Sequence, residues 1–114
     1  MNGGWLGGLF FGVMIASMLA ISAIAGGPVG ITLAIMLLGQ IVLPIYLYHK
    51  SVYGKDPEVW ACWQAGFSIG ISATGIIGLL KSAGVTAAGM GVLGEILYNG
   101  GNGTTKTSFG CWAN

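Results

Sequence analysis

Few residues in this 114-residue chain have side chains that could do chemistry. They are one histidine, two cysteines, four lysines, three carboxylates and one glycosylation sequon. His49 stands alone, with no serine, cysteine or paired carboxylate spaced to make a nucleophile–base set. Two cysteines and one histidine make a poor metal site. No phosphate-binding loop is present. Catalysis is therefore not expected, and neither a metal nor an organic cofactor is implied. Cys62 and Cys111 are the one pair able to form a covalent bond, and a disulfide would require an oxidising compartment. Asn102-Gly103-Thr104 fits the N-x-[ST] sequon, which is useful only outside the cell.

The charges are unevenly placed. Lys50, Lys55, Asp56 and Glu58 fall in one short segment beside His49, and nothing from Asn2 to Tyr48 is charged. Beyond that segment only Lys81, Glu95 and Lys106 carry charge. Charged residues make up 6% of the chain against about a quarter in an ordinary soluble domain. Hydrophobic residues make up 54%, and mean hydropathy is +0.82. Such a surface must be covered by lipid, by further copies of the chain, or by both. Arginine is absent and net charge is +1, so there is no basic stripe for general nucleic-acid binding. Glycine is abundant at 22 residues; membrane helices tolerate it because it lets backbones approach closely.

These features predict an all-α fold: a hydrophobic hairpin of two long kinked helices with a short polar loop and an irregular tail. The hairpin covers 1–98, with the loop near 49–58, and a polar Gly/Asn/Thr-rich tail covers 99–114. Met1 to Ala25 has signal-peptide-like features but lacks the positive leading region, and is read as retained. The first arm, Gly4 to Tyr48, is apolar all round. Gly26-Gly27-Pro28 interrupts it, and Pro44 is a second candidate kink. Tyr46, Tyr48 and His49 end it in the manner of an interfacial belt. Asp56-Pro57-Glu58 opens the second arm with a cap, a first-turn proline and an acidic first turn. Trp60 and Trp63 follow. Lys81-Ser82-Ala83-Gly84 then breaks this arm. Folding about Tyr53-Gly54 sets that break level with Gly26.

Two architectures fit the matching breaks. Each arm is one long kinked helix, or each break is a tight turn giving four short spans. The sequon and the lysines favour the first, with the loop inside the cell and the tail outside. Straight arms would hold Cys62 and Cys111 too far apart for an intrachain bond. A folded-back second arm or a staggered neighbour would permit one, and two free thiols is the other possibility.

Small residues recur every fourth position at Gly4, Gly8 and Gly12, and at Gly66, Gly70, Thr74, Gly78, Ser82 and Thr86. This spacing permits close helix packing, within one hairpin or between copies. Its drift around the helix favours repeated self-assembly over an isolated hairpin. Lys81 either donates to carbonyls freed by the break or pairs with Glu95 of another copy. A rotary-ring role for Glu95 is not favoured, because it lies away from the midplane.

From Gly4 to Tyr98, with Lys50 to Glu58 in the loop position, the arrangement resembles the conjugative (type IV secretion) pilins, nearest those of archaeal DNA-import systems. The resemblance implies a structural subunit that assembles with membrane lipid into a hollow helical filament. It implies a location first in the cell membrane and then in a pilus on the cell surface. The implied partners are further copies, lipids, transient DNA in the lumen and the secretion machinery. His49, Lys50 and Lys55 would meet lipid phosphates or passing DNA, and Gly66, Gly70 and Gly78 would pack helices. The chain is longer than most such pilins, its loop is not strongly basic, and the tail with Cys111 is additional. The alternatives are a holin-like pore-forming membrane protein and a lipid-associated virion shell protein.

Overall fold

The computed structural model describes residues 2–86, 88–99 and 109–112. Every regular element among them is helical: α1 (Asn2–Tyr53), α2 (Pro57–Ala73), α3 (Ile76–Ser82), a 3₁₀ turn (Ala88–Met90) and α4 (Val92–Asn99). Residues 109–112 form one further helical turn. The expected all-helical chain with a long apolar helix at its N-terminal side is what is found.

The first arm is not a single straight rod. At about 1.5 Å per residue, the 52 residues of α1 would reach about 78 Å, yet the longest dimension of the molecule is 44 Å. The helix reverses at Gly27, whose φ of 57° and ψ of −146° are open to glycine and costly for other residues. Pro28 then starts the return limb in the position where its missing N–H costs least. The reversal brings Gly30 against the Ser22 carbonyl. It stacks Phe11 on His49 with ring centroids 4.9 Å apart. Each limb is about 37–39 Å long, close to the thickness of a bilayer with part of its interfaces. Pro44 lies inside the return limb, where the backbone angles stay helical, so the chain does not break there as it does at Gly27.

The second arm also bends. Between α2 and α3 the axis turns by 56° at Thr74–Gly75. Thr74 Oγ1 donates to the Ile71 carbonyl at 2.8 Å and accepts from the Ile76 amide at 3.4 Å, while Gly75 takes φ 70°. Nothing local foretells this bend, because Thr74 continues the small-residue spacing and Gly75 is one glycine among many. The anticipated break at Lys81–Gly84 is present. The Gly84 amide donates to Lys81 O at 3.0 Å and the Val85 amide to Leu80 O at 2.9 Å, the paired bonds that end a helix on a left-handed glycine.

The chain then returns along the bundle, so the described segments follow the four-pass alternative rather than two long arms. The outgoing limb of α1 runs parallel to α2, with Gly8 facing Trp63 and Gly12 facing Phe67. The return limb runs antiparallel to both. Met90, Leu93, Ile96 and Leu97 bury themselves in the same core as Leu38, Val42, Ile76 and Leu80.

Glycine makes the closest packing possible. A Cβ on Gly8 would collide with the Trp63 carbonyl, and one on Gly66 with the Trp5 carbonyl. A Cβ on Gly12 would lie 2.7 Å from Phe67 O, and one on Gly70 2.6 Å from Leu9 O. The two helices therefore meet backbone to backbone. By contrast, Gly78 faces open space on α3. Gly8→Ala or Gly66→Ala should force the helices apart and destabilise by about 1–3 kcal/mol. Gly78→Ala should instead be neutral or stabilising by up to about 1 kcal/mol, from better helix propensity. Thermal unfolding in detergent, compared across the three variants, checks the contrast.

Candidate functional site

Most of the chemically distinctive residues gather at one end of the bundle. The hinge is built locally: the Gly54 amide donates to Lys50 O at 2.8 Å, closing α1. Asp56 adopts an extended backbone and its Oδ1 accepts from the Glu58 amide at 2.9 Å, capping α2 with Pro57 in the first turn. This capping is as the sequence predicts. Lys50, Lys55, Asp56 and Glu58 are all exposed, a polar rim of both signs.

Below the rim lies an aromatic cluster centred on Trp63, which is fully buried. Trp60 stacks on it at 4.9 Å and Phe67 at 5.2 Å, and Tyr46, His49 and Phe11 stand 5.7, 5.7 and 5.8 Å away. Rings at such spacings contribute about 0.5–1.5 kcal/mol per pair beyond area burial. The Nε1 atoms of Trp5 and Trp63 are buried with no hydrogen-bond partner among the described residues. Each carries a desolvation cost of about 1–3 kcal/mol that the ring packing must exceed.

His49 belongs to this cluster. It is half-buried, its ring lies between Phe11 at 4.9 Å and Tyr53 at 6.1 Å, and Nδ1 donates to the Ile45 carbonyl at 2.8 Å. Lys50 and Lys55 reach outward while His49 faces in, so the structure does not present the three as one basic group.

The two cysteines are joined within the chain as Cys62–Cys111, with Cα atoms 5.8 Å apart. Straight arms would forbid this bond; the return of the chain after Gly84 allows it. Cys62 and Cys111 are both buried, and Trp112 meets the edge of Trp5 at 5.3 Å beside them. The segment at 109–112 therefore sits at the hinge end, which differs from the anticipated placement of loop and tail on opposite sides. Asn102 lies outside the described residues, as does the tail apart from Asn99, which ends α4, and 109–112, where the anticipated irregular structure gives way to a helical turn.

Gly66 and Gly70 are spent on packing within the chain, as described above, and Gly78 packs against nothing. The small-residue stripe is thus not a free surface for a second copy along Gly66–Gly70. What does face outward is apolar: Phe10, Ile21, Ile24, Val29, Met36, Leu37 and Ile41 are all more than half exposed, Ile24 at 85%. Sequence reasoning did not single these residues out, since α1 is apolar on every side and its pattern does not distinguish core from exterior. A groove of about 330 Å³ between the return limb and the 3₁₀ turn–α4 segment is lined by Ile35, Met36, Gly39, Met90 and Leu93, with Gln40 at its edge. No cluster of metal-ligating side chains occurs among the described residues.

Lys81 and Glu95, the charges within the apolar arms, are exposed on different helices, α3 and α4. Among the described residues neither forms a hydrogen bond through its side chain that would tie it to the break at Gly26–Pro28.

The Cys62–Cys111 bond spans 49 residues and encloses α3, the 3₁₀ turn and α4. A loop of that length corresponds to about 4 kcal/mol in the chain-entropy account. Cys62→Ser should therefore lower the thermal midpoint in detergent by about 10–20 °C. Protection from amide exchange should fall first in α4. Calorimetry with hydrogen exchange on the purified protein checks both. No known protein family, characterised protein or solved structure matches this chain.

Proposed function

We propose that this chain is a structural membrane subunit that assembles with lipid into a hollow helical filament on the cell surface, serving DNA transfer. The supporting observation is the exterior of α1 from Gly3 to Tyr48, which carries no charge and exposes large apolar side chains along both limbs, each of bilayer length. A water-soluble monomer would expose far more apolar surface than such proteins tolerate. Lipid and neighbouring copies are the two coverings that this surface accepts, and the proposal uses both.

In this reading the subunit belongs with the conjugative, type IV secretion pilins. It waits in the cell membrane and is then taken up by the secretion machinery. Assembly runs through the outer faces of α1, because Gly66 and Gly70 already serve the fold. The polar rim of Lys50, Lys55, Asp56 and Glu58 turns to the lumen. Two positive and two negative charges there would let DNA pass without holding it, and the lysines would also meet lipid phosphates. His49 contributes to packing beneath the rim rather than to either contact. The intrachain disulfide suits a subunit that must survive outside the cell.

Negative-stain microscopy of material sheared from cells that make the protein is the direct test. Filaments containing the chain are the expected result. Lysis or loss of membrane potential on expression, without filaments, would favour a holin-like pore, and enveloped particles would favour a virion shell. Within filaments, Lys50→Glu with Lys55→Glu should leave assembly intact and reduce DNA transfer. Normal transfer by that variant would remove the lumenal role of these charges.

A further inference from the structure

The disulfide also fixes which way the bundle faces. Cys62 lies near the start of α2, one helical turn or so from the hinge, and Cys111 meets it there. Between them the chain runs through α3, ends that helix at Ser82–Gly84 and comes back through α4. The bond therefore belongs to one end of a molecule whose long dimension is 44 Å, while α2 and the bent α3 carry Lys81 and Ser82 away from it, toward the half that holds the Gly27 reversal. A buried cystine of this kind forms where thiols are oxidised, on the outer side of a cell membrane.

The rings agree with a two-sided molecule. Trp5, Tyr48, Tyr53, Trp60 and Trp112 cluster around the hinge end, while the far end, at Gly26–Pro28 and Thr74–Gly84, has no aromatic residue. Counting lysines alone would orient the chain the other way, since Lys50 and Lys55 lie at the hinge and Lys81 alone lies at the far end. Among the described residues, which do not include Lys106, a difference of one lysine is a weak bias, and Asp56 and Glu58 stand beside the two at the hinge. The oxidation requirement is chemical and the stronger guide: reducing compartments keep most thiols reduced, and structural cystines form mainly on the oxidising side.

We infer that the chain sits in the membrane with the hinge, the Cys62–Cys111 bond and the Lys50–Glu58 rim on the outer, oxidising side, and with the Gly27 reversal and Lys81 on the cytoplasmic side. This requires that the bundle span a membrane; it does not require that the chain form filaments, which microscopy scores separately.

The test uses the full chain with its disulfide intact, expressed alone in cells. Ser51→Cys places a thiol at the exposed hinge end, and Ser82→Cys places one at the exposed far end. Both are treated with a membrane-impermeant polyethylene-glycol maleimide, before and after permeabilisation, and read as a gel shift. The expected result is a single shift for Ser51→Cys on intact cells, and a shift for Ser82→Cys only after permeabilisation. The unsubstituted chain should not shift without reductant. The opposite pattern would overturn the orientation, as would two thiols that both react only after permeabilisation. Reaction of both on intact cells would show that the bundle does not span, and a shift of the unsubstituted chain would show that the bond is not formed. Either result overturns the inference too.

Discussion

The fold rests on the contact between the outgoing limb of α1 and α2, where two backbones meet with no side chain between them. Gly8 and Gly12 on one helix and Gly66 and Gly70 on the other leave the carbonyls of Trp63, Phe67, Trp5 and Leu9 in the space that β-carbons would fill. In an apolar environment helices gain little by hiding from solvent, so contact area and dispersion decide which faces meet. Backbone contact maximises both. Once these helices are fixed in parallel, the return limb has one place to lie. Trp63 then fills the centre that all three share, in contact with Phe11, Tyr46 and His49.

The return of the chain after α3 follows from the same economy of space. The 56° bend at Thr74–Gly75 turns α3 away from the parallel pair, and the left-handed Gly84 reverses the chain. The 3₁₀ turn and α4 come down the side of the return limb, where Met90, Leu93, Ile96 and Leu97 extend the one core. Four side chains are a thin hold for an eight-residue helix. The Cys62–Cys111 bond closes a covalent loop that contains α4.

Much of this was legible in the residues. The helical class, the capped hinge at Asp56-Pro57-Glu58 and the breaks at Gly26–Pro28 and Lys81–Gly84 all carry local signals, and local signals are what one sequence can show. Whether a break is a kink or a reversal is not local. It depends on whether two distant faces attract, and here the attraction came from glycines that read equally well as a surface for other copies. That ambiguity placed Gly66 and Gly70 in assembly when they serve the fold. The sequon and the lysines separately favour straight arms, and straight arms put Cys62 and Cys111 out of reach. The bend at Thr74–Gly75 carries no distinct local signal, because Thr74 keeps the small-residue rhythm and Gly75 is one glycine among many. His49 looked like part of a basic rim because it adjoins Lys50; helical rotation turns it by about 100° from its neighbour and into the rings.

The positions of the tryptophans have a consequence for how this protein would be observed. All four, Trp5, Trp60, Trp63 and Trp112, stand at the hinge end. The molecule is therefore optically lopsided. Its intrinsic emission and most of its near-ultraviolet dichroism report the hinge half, and the half around Gly27 and α3 is dark. A fluorescence trace and a far-ultraviolet trace would follow different regions of one chain, so their disagreement would locate an opening rather than merely announce one.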